Sequence, residues 1–177
     1  MNTQLVMAVG SEVGSSGARF SADERHRYVL WRDLEQPESA SRGTVCFLML
    51  NPSTADHTRN DPTIRRCIGY ARRWGFNRLT VVNLHSFRST DPRALYTTPD
   101  TEGDDENKRT IVYQARSAQL LVCAWGQHGA LRDRGKMIAQ ALADHGVSMH
   151  VLGLTKAREP AHPLMLKKDL EPTRWML

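Results

Sequence analysis

The sequence has little cysteine and no long hydrophobic run, and each absence excludes a class of protein. Its three cysteines, Cys46, Cys67 and Cys123, lie in apolar stretches and lack the spacing of metal ligands. We therefore expect small buried residues, with neither a disulfide nor a metal site. No apolar run approaches the roughly 20 residues that span a bilayer, so no transmembrane helix is expected.

Targeting and cofactor signals are also missing. The first ten residues have no basic start and only a short apolar part, which argues against a secretory signal and favours the cytoplasm. The sequence has no glycine-rich phosphate loop, which disfavours a nucleotidyl or glycosyl transferase. We expect no cofactor.

Positive charge is in excess. The chain has 24 Lys and Arg against 19 Asp and Glu, and its sequence pI is about 9.4. This balance favours a polyanionic partner such as DNA, although charge alone does not identify one.

Hydrophobic patterning predicts an N-terminal arm over residues 1–26 and one α/β domain over residues 27–177. The Gly- and Ser-rich residues 10–19 are typical of a flexible arm, and the alternation over residues 27–32 predicts an edge strand. Apolar runs typical of buried strands span residues 44–50, 78–84, 120–126 and 148–154.

Helical patterns separate these runs. Asp61 and Pro62 have the residue types of a helix start, and Gly75 is expected to end that helix. Two more helices are predicted, one ending near Ser117 and one over residues 130–145. Alternating strands and helices predict a three-layer α/β/α fold around a mostly parallel four-stranded sheet, with ligands beyond the carboxyl ends of its strands.

The first strand end carries Asn51-Pro52-Ser53-Thr54. An asparagine there can orient a water or bind a ligand, although Asn-Pro also starts ordinary turns. Asp61 is better explained as a helix cap, whereas Asp56 is a candidate general base if it faces the cleft.

Polar residues also follow the later strands. Asn83 can read the edge of a nucleobase or hold its own turn, and His85 and Arg88, which come after it, can contact phosphate. Trp125 is expected to pack, while Gln127 and His128 have no assigned role. In the last loop, His162 is either solvent-exposed or a stabiliser of a developing negative charge. Apolar and basic residues surround it, a composition that suits DNA: Leu164, Leu166, Lys156, Arg158, Lys167 and Lys168.

Two resemblances follow from these residues. The blocks around Asn51–Asp56, Asn60–Thr63, Asn83, Trp125-Gly126 and His162-Pro163 resemble a family of bacterial and phage proteins known as a domain of unknown function, over residues 27 to 170. The order of the motifs also resembles that of the uracil-DNA glycosylase superfamily, although the residue types match less closely.

The second resemblance implies a glycosylase-like fold and a role for each motif. Asn51 would position the attacking water, with Asp56 as a possible helper. Asn83 and His85, with Pro52, would bind the base, and His162 would support the leaving base. Ser53 stands where uracil-specific members have a large aromatic block, so a 5-substituted pyrimidine would fit. Leu166 would enter the duplex.

The resemblance therefore implies a DNA glycosylase that acts on duplex DNA with a flipped modified base, without metal or protein partner. Together with the phage association of the family of unknown function, this resemblance suggests a hypermodified pyrimidine, such as glucosylated 5-hydroxymethylcytosine, and a role in anti-phage defence. The alternatives are an N-ribosyl hydrolase on free nucleotides and a non-catalytic DNA-binding protein of the same fold.

Overall fold

A seven-stranded sheet runs through the computed structural model, which describes residues 15–37 and 41–177. Its strands are β1 (Ser16–Phe20), β2 (Arg27–Asp33), β3 (Thr44–Met49), β4 (Arg78–Asn83), β5 (Leu120–Cys123), β6 (Met149–Val151) and β7 (Thr173–Trp175). The helices are α1 (Pro62–Arg73), α2 (Ala94–Thr97), α3 (Asp105–Ser117) and α4 (Arg134–Asp144). Short 3-10 segments cover Gln127–Asp133 and Pro163–Met165.

The sheet is mixed, with the order β1-β2-β4-β3-β5-β6-β7. Its centre, β4-β3-β5-β6, is parallel, and these are the four buried strands that the apolar runs predict. The outer pairings are antiparallel. The prediction of a mostly parallel, four-stranded sheet therefore describes only the centre. The described sheet has seven strands, and three of its pairings are antiparallel. Strands β1 and β7 were missed because they are short and lack a long apolar run.

Strand β1 corrects two predictions at the N-terminus. Residues 16–20 pair with β2, so this part of the predicted arm belongs to the sheet, and β2 is an interior strand. A Cβ on Gly17 would lie 2.3 Å from the Trp31 ring, so the residue that suggested a flexible loop permits close packing on that ring. Residues 1–14 of the predicted arm lie outside the described residues.

Helices cover both faces of the sheet, which gives three layers. Helix α1 packs on one face with Cys67 in its core, and α3 and α4 pack on the other, where Cys46 and Cys123 lie. All three cysteines are free and fully buried. Burial raises the pKa of the Cys67 and Cys123 thiols.

Helix ends explain how the chain enters the site. The Asp61 side chain accepts a hydrogen bond from the Ile64 amide at 2.8 Å, and Gly75, with φ +80°, follows α1, as predicted. Helix α4 begins at Arg134 instead of near residue 130, because Arg132 and Asp133 have positive φ and break the helical path. No helix in the described ranges is both long and apolar enough to cross a membrane.

Candidate active site

A cavity of about 580 Å³ lies beyond the carboxyl ends of the parallel strands. Met49 of β3 is paired with Asn83 of β4, so the polar residues after these strands meet at one edge of the sheet. The cavity is lined by all four strand-end segments that the sequence singles out, through Asn51, Asn83, Gly126 and His162. Ser53 also lines it.

Asn51 is held through one end of its amide. Its Nδ2 donates to the carbonyl oxygen of Ser89 at 2.9 Å and to that of Pro52 at 3.1 Å. Among the described residues no group donates to Oδ1, so this oxygen can accept a hydrogen bond from a water or ligand in the cavity. Pro52 does not line the cavity; its carbonyl accepts from the Ser89 amide and so helps to shape the loop.

Asn83 ends β4 with its side chain almost fully buried. Its Nδ2 has no hydrogen-bond partner among the described residues, although it lies beside the cavity. A buried donor left unpaired costs about 1–3 kcal/mol. A ligand with an acceptor at this position would remove that cost, so Asn83 is suited to recognition.

His162 reaches the cavity from the loop after β6. Its Nδ1 accepts a hydrogen bond from the Leu164 amide at 3.4 Å, which leaves the proton of the neutral ring on Nε2. Burial lowers the pKa of His162, against the opposing effect of the negative charge of Asp61. The ring is therefore a neutral hydrogen-bond donor at physiological pH.

Gly126 fixes the approach of this loop to the end of β5. Its amide donates to the Pro160 carbonyl at 2.7 Å, and its φ of +75° is a conformation that glycine adopts without strain. A Cβ here would touch the Cβ of His162 at 3.5 Å. Trp125, as expected, is a core residue, with its Nε1 donating to Glu159 at 2.7 Å.

Two predicted site residues lie away from the cavity. Asp56 accepts hydrogen bonds from the amides of Thr58 and Arg59, which lower its pKa, and it holds its own turn instead of facing the cleft. His85 is fully buried and bonded to Thr101 Oγ1 at 3.0 Å. Burial and the positive charge of Arg134 lower the pKa of His85 to about 4.

The predicted DNA contacts divide into two groups. Lys156, Arg158, Lys167 and Lys168 are exposed in the loops after β6 and form no salt bridge among the residues described. Arg88, in contrast, donates to the Glu24 carbonyl and lies over the Phe20 ring, so it is engaged inside the fold.

Leu166, which the resemblance predicts to enter the duplex, is not the exposed apolar residue of its loop. Leu166 is half-buried and packs against the core on the α1 side. Leu164 is 39% exposed, whereas Met165 is 83% exposed and lines the cavity. Because the 3-10 turn Pro163–Met165 rotates successive side chains, Met165 points outward and Leu166 points inward.

The cavity is also lined by residues for which the sequence predicts no role in the site. Arg27, at the start of β2, is 2% exposed and lines the cavity together with Asp61. Gln127 and His128 line it as well, and His128 Nδ1 lies 3.0 Å from the exposed Tyr96 hydroxyl. Over residues 15–37 and 41–177, no three His, Cys, Asp or Glu side chains are grouped as metal ligands.

Comparisons with known proteins place the chain in a family. No curated protein and no solved structure matches the chain significantly. A family profile matches residues 27–164, a range that contains Asn51, Asn83 and His162. The chain therefore belongs to DUF1643, a family of proteins of unknown function.

Proposed function

We propose that the protein is a monofunctional DNA glycosylase, which hydrolyses the N-glycosidic bond of a modified pyrimidine and leaves an abasic site. The observation that carries this proposal is the meeting of Asn51, Asn83 and His162 in one cavity at the strand ends. The three side chains offer an acceptor for water, a base-reading donor and a neutral donor for the leaving base. Their order along the chain is that of the uracil-DNA glycosylase superfamily, which the sequence resembles.

The reaction assigns one task to each of the three. The Asn51 Oδ1 accepts from a water that attacks the sugar C1′. The C1′–O bond forms as the C1′–N bond breaks, the electron pair of the broken bond leaves with the base, and the added water releases its surplus proton to solvent. The Nε2–H of His162 donates to the departing base anion, which then takes a proton from solvent. Asn83 Nδ2 donates to an acceptor on the base edge and so holds the flipped base.

The size of the cavity supports a base larger than an unmodified pyrimidine. The cavity is about 580 Å³. Ser53 stands at its wall with a small side chain. A glucosylated 5-hydroxymethylcytosine of phage DNA, and with it a defence role, belongs to this proposal.

The surroundings of the cavity suit a duplex with one nucleotide turned out. Met165 is the exposed apolar side chain at the rim and would occupy the vacated place in the stack. The exposed Lys156, Arg158, Lys167 and Lys168 would contact phosphates. The cytoplasm, where DNA is found, is the proposed location.

The test is cleavage of duplex oligonucleotides, each with a single modified pyrimidine and an end label, followed by alkali that breaks abasic sites. Asn51→Ala should reduce single-turnover cleavage by 100-fold or more while it leaves duplex binding in place, because the oxygen that orients the water is lost and the phosphate-contacting residues are unchanged. Asp56→Ala is the matched control and should cleave at the native rate.

Two outcomes would contradict the proposal. If every duplex stays intact, glucosylated phage DNA included, the protein is not a DNA glycosylase. Full cleavage by Asn51→Ala would show that Asn51 is not a catalytic residue. Release of a base from free nucleotides, without cleavage of DNA, would instead identify an N-ribosyl hydrolase.

A further inference from the structure

Two buried arginines on β2 differ in what surrounds their guanidinium groups. Arg32 is 5% exposed, and each of its side-chain nitrogens donates a hydrogen bond. Nε donates to Asn60 Oδ1 at 2.8 Å, Nη1 to the Trp31 carbonyl at 2.8 Å and Nη2 to the Asp56 carbonyl at 2.6 Å. Its donors are used within the fold, so Arg32 holds the 56–60 loop against β2.

Arg27 is buried as deeply, but not all of its side-chain nitrogens donate a hydrogen bond. It is 2% exposed, and its Nη1 donates to the Ala55 carbonyl at 2.9 Å. Its Nε is buried without a partner among the described residues, and the side chain lines the cavity. Burial lowers the pKa of Arg27 to about 10, so the group stays charged at neutral pH. A buried cation with unused donors points to a ligand that supplies acceptors.

Asp61 supplies the complementary group in the same cavity. Its Oδ1 accepts from the Ile64 amide, and no group among the described residues donates to its other oxygen. It is the one acidic side chain among the described residues that line the cavity. Asp61 acts electrostatically on Arg27, yet the two form no ion pair within 4 Å.

We propose that Arg27 and Asp61 form a recognition subsite for a neutral hydroxyl-bearing substituent on the excised base. Arg27 offers only donors and Asp61 only acceptors, so the pair fits a group that both accepts and donates. A methyl group would leave both side chains unpaired, a carboxylate would be repelled by Asp61, and an ammonium by Arg27. This subsite rests on the proposed glycosylase function and narrows its substrate.

The test compares duplexes that contain a single 5-hydroxymethylcytosine, 5-methylcytosine or 5-carboxylcytosine. Single-turnover cleavage is measured with the native protein, and equilibrium binding with the Asn51→Ala variant. The hydroxymethyl base should be preferred by about tenfold or more over both others in each measurement. Arg27→Met and Asp61→Asn should each bring the preference over the methyl base close to one.

Controls separate recognition from folding. Asn caps a helix about as well as Asp, so Asp61→Asn keeps the start of α1. Asp56→Asn changes the same residue type at a turn outside the cavity and should keep the preference. The thermal midpoint of each variant shows that it is folded.

The outcomes are distinct for the two proposals. Equal cleavage and binding of the hydroxymethyl and methyl bases by the native protein would overturn the subsite while leaving the glycosylase intact. Loss of cleavage on all bases in Asp61→Asn, with an unchanged binding preference, would also overturn it and make Asp61 a catalytic base. Absence of all cleavage would overturn the glycosylase, and the binding ratio would still decide the subsite.

Discussion

The protonation of His85 differs between the folded and the unfolded protein, because the fold surrounds the ring with core atoms and with the positive charge of Arg134. Its side chain is fully buried, its Nδ1 lies 3.0 Å from Thr101 Oγ1, and its Nε2 has no partner among the described residues. The pKa of about 4 means that the folded protein keeps this ring neutral.

We predict that the free energy of unfolding falls as the pH drops from 6.5 towards 4. In that window the unfolded state, with a His pKa near 6.5, takes up a proton that the folded state refuses, so acid favours unfolding. Above pH 6.5 this contribution to stability is fully present. The lowering of the pKa to about 4 corresponds to a total loss of about 3 kcal/mol.

Urea denaturation at a series of pH values measures this effect. Burial also lowers the pKa of His162, so the native profile contains a contribution of the same sign from that residue. The difference between the native profile and that of His85→Asn isolates His85. Parallel profiles for the two proteins would contradict the assignment.

The site residues that lie at the carboxyl ends of buried strands were predictable, because ligands bind at that edge of a parallel sheet. Asn51, Asn83 and His162 follow buried strands, and the structure brings them to one cavity. Asp56 and Asp61 are five residues apart in the same loop, and each accepts from a backbone amide of its own turn. Their residue type therefore does not reveal that Asp61, and not Asp56, lines the cavity. Arg27 was not identified because a charged residue at a strand start is usually solvated.

The 3-10 turn before Lys167 shows how a single element sorts neighbouring side chains into different roles. Leu166 enters the core on the α1 side, and the carbonyls of Pro163 and Leu166 accept from the Arg66 guanidinium. Tyr70 of α1 donates to the Lys167 carbonyl. The loop that carries His162 is thus fastened to α1, which keeps the imidazole in place.

We predict that Leu166→Ala lowers the free energy of unfolding by about 1–2 kcal/mol, less than the 2–5 kcal/mol of a fully buried leucine. Met165→Ala should change it by less than about 0.5 kcal/mol, since its side chain is mostly exposed. Urea denaturation at constant pH compares the two. A larger loss in Met165→Ala than in Leu166→Ala would contradict the orientation of this turn.

Elements that lie within a long apolar pattern were predictable, and elements without one were not. The strands β3, β4 and β5 and helix α1 have apolar patterns over many residues, and the structure contains each of them. Strand β7 has only the three residues Thr173–Trp175, and the sequence of β1 contains Gly17, which is untypical of a strand. Such strands are defined by their pairing with a neighbour, a long-range contact that no local pattern encodes.

The whole molecule is wider than the part that its family shares. The family profile covers residues 27–164, whereas β1 and β7 are the two outermost strands of the sheet and lie outside that range. Strand β1 covers the backbone of β2, and Arg19 on it bonds with Glu106 and Thr110 of α3. An uncovered β2 would present unpaired N–H and C=O groups to other molecules.

We therefore predict that deletion of residues 1–26 produces a protein that self-associates and melts at a lower temperature. Val29, Leu30 and Trp31 of β2 are buried apolar residues. Without β1, the backbone edge of this strand would be exposed and would pair with a second chain. Size-exclusion chromatography with light scattering, together with thermal melting, measures both effects. Deletion of residues 1–14, which keeps β1, is the reference protein, and both effects are measured as differences from it.

The three cysteines lie on both sides of the sheet, so their reaction with a thiol reagent reports on the helical layer of each side separately. Cys67 lies in the core under α1, and Cys46 and Cys123 lie in the core under α3 and α4. Each thiol is fully buried, so a reagent in solution gains access only when the layer above it opens. The time course of labelling at Cys67 relative to the other two would report whether the layers on the two sides of the sheet come apart together or in sequence.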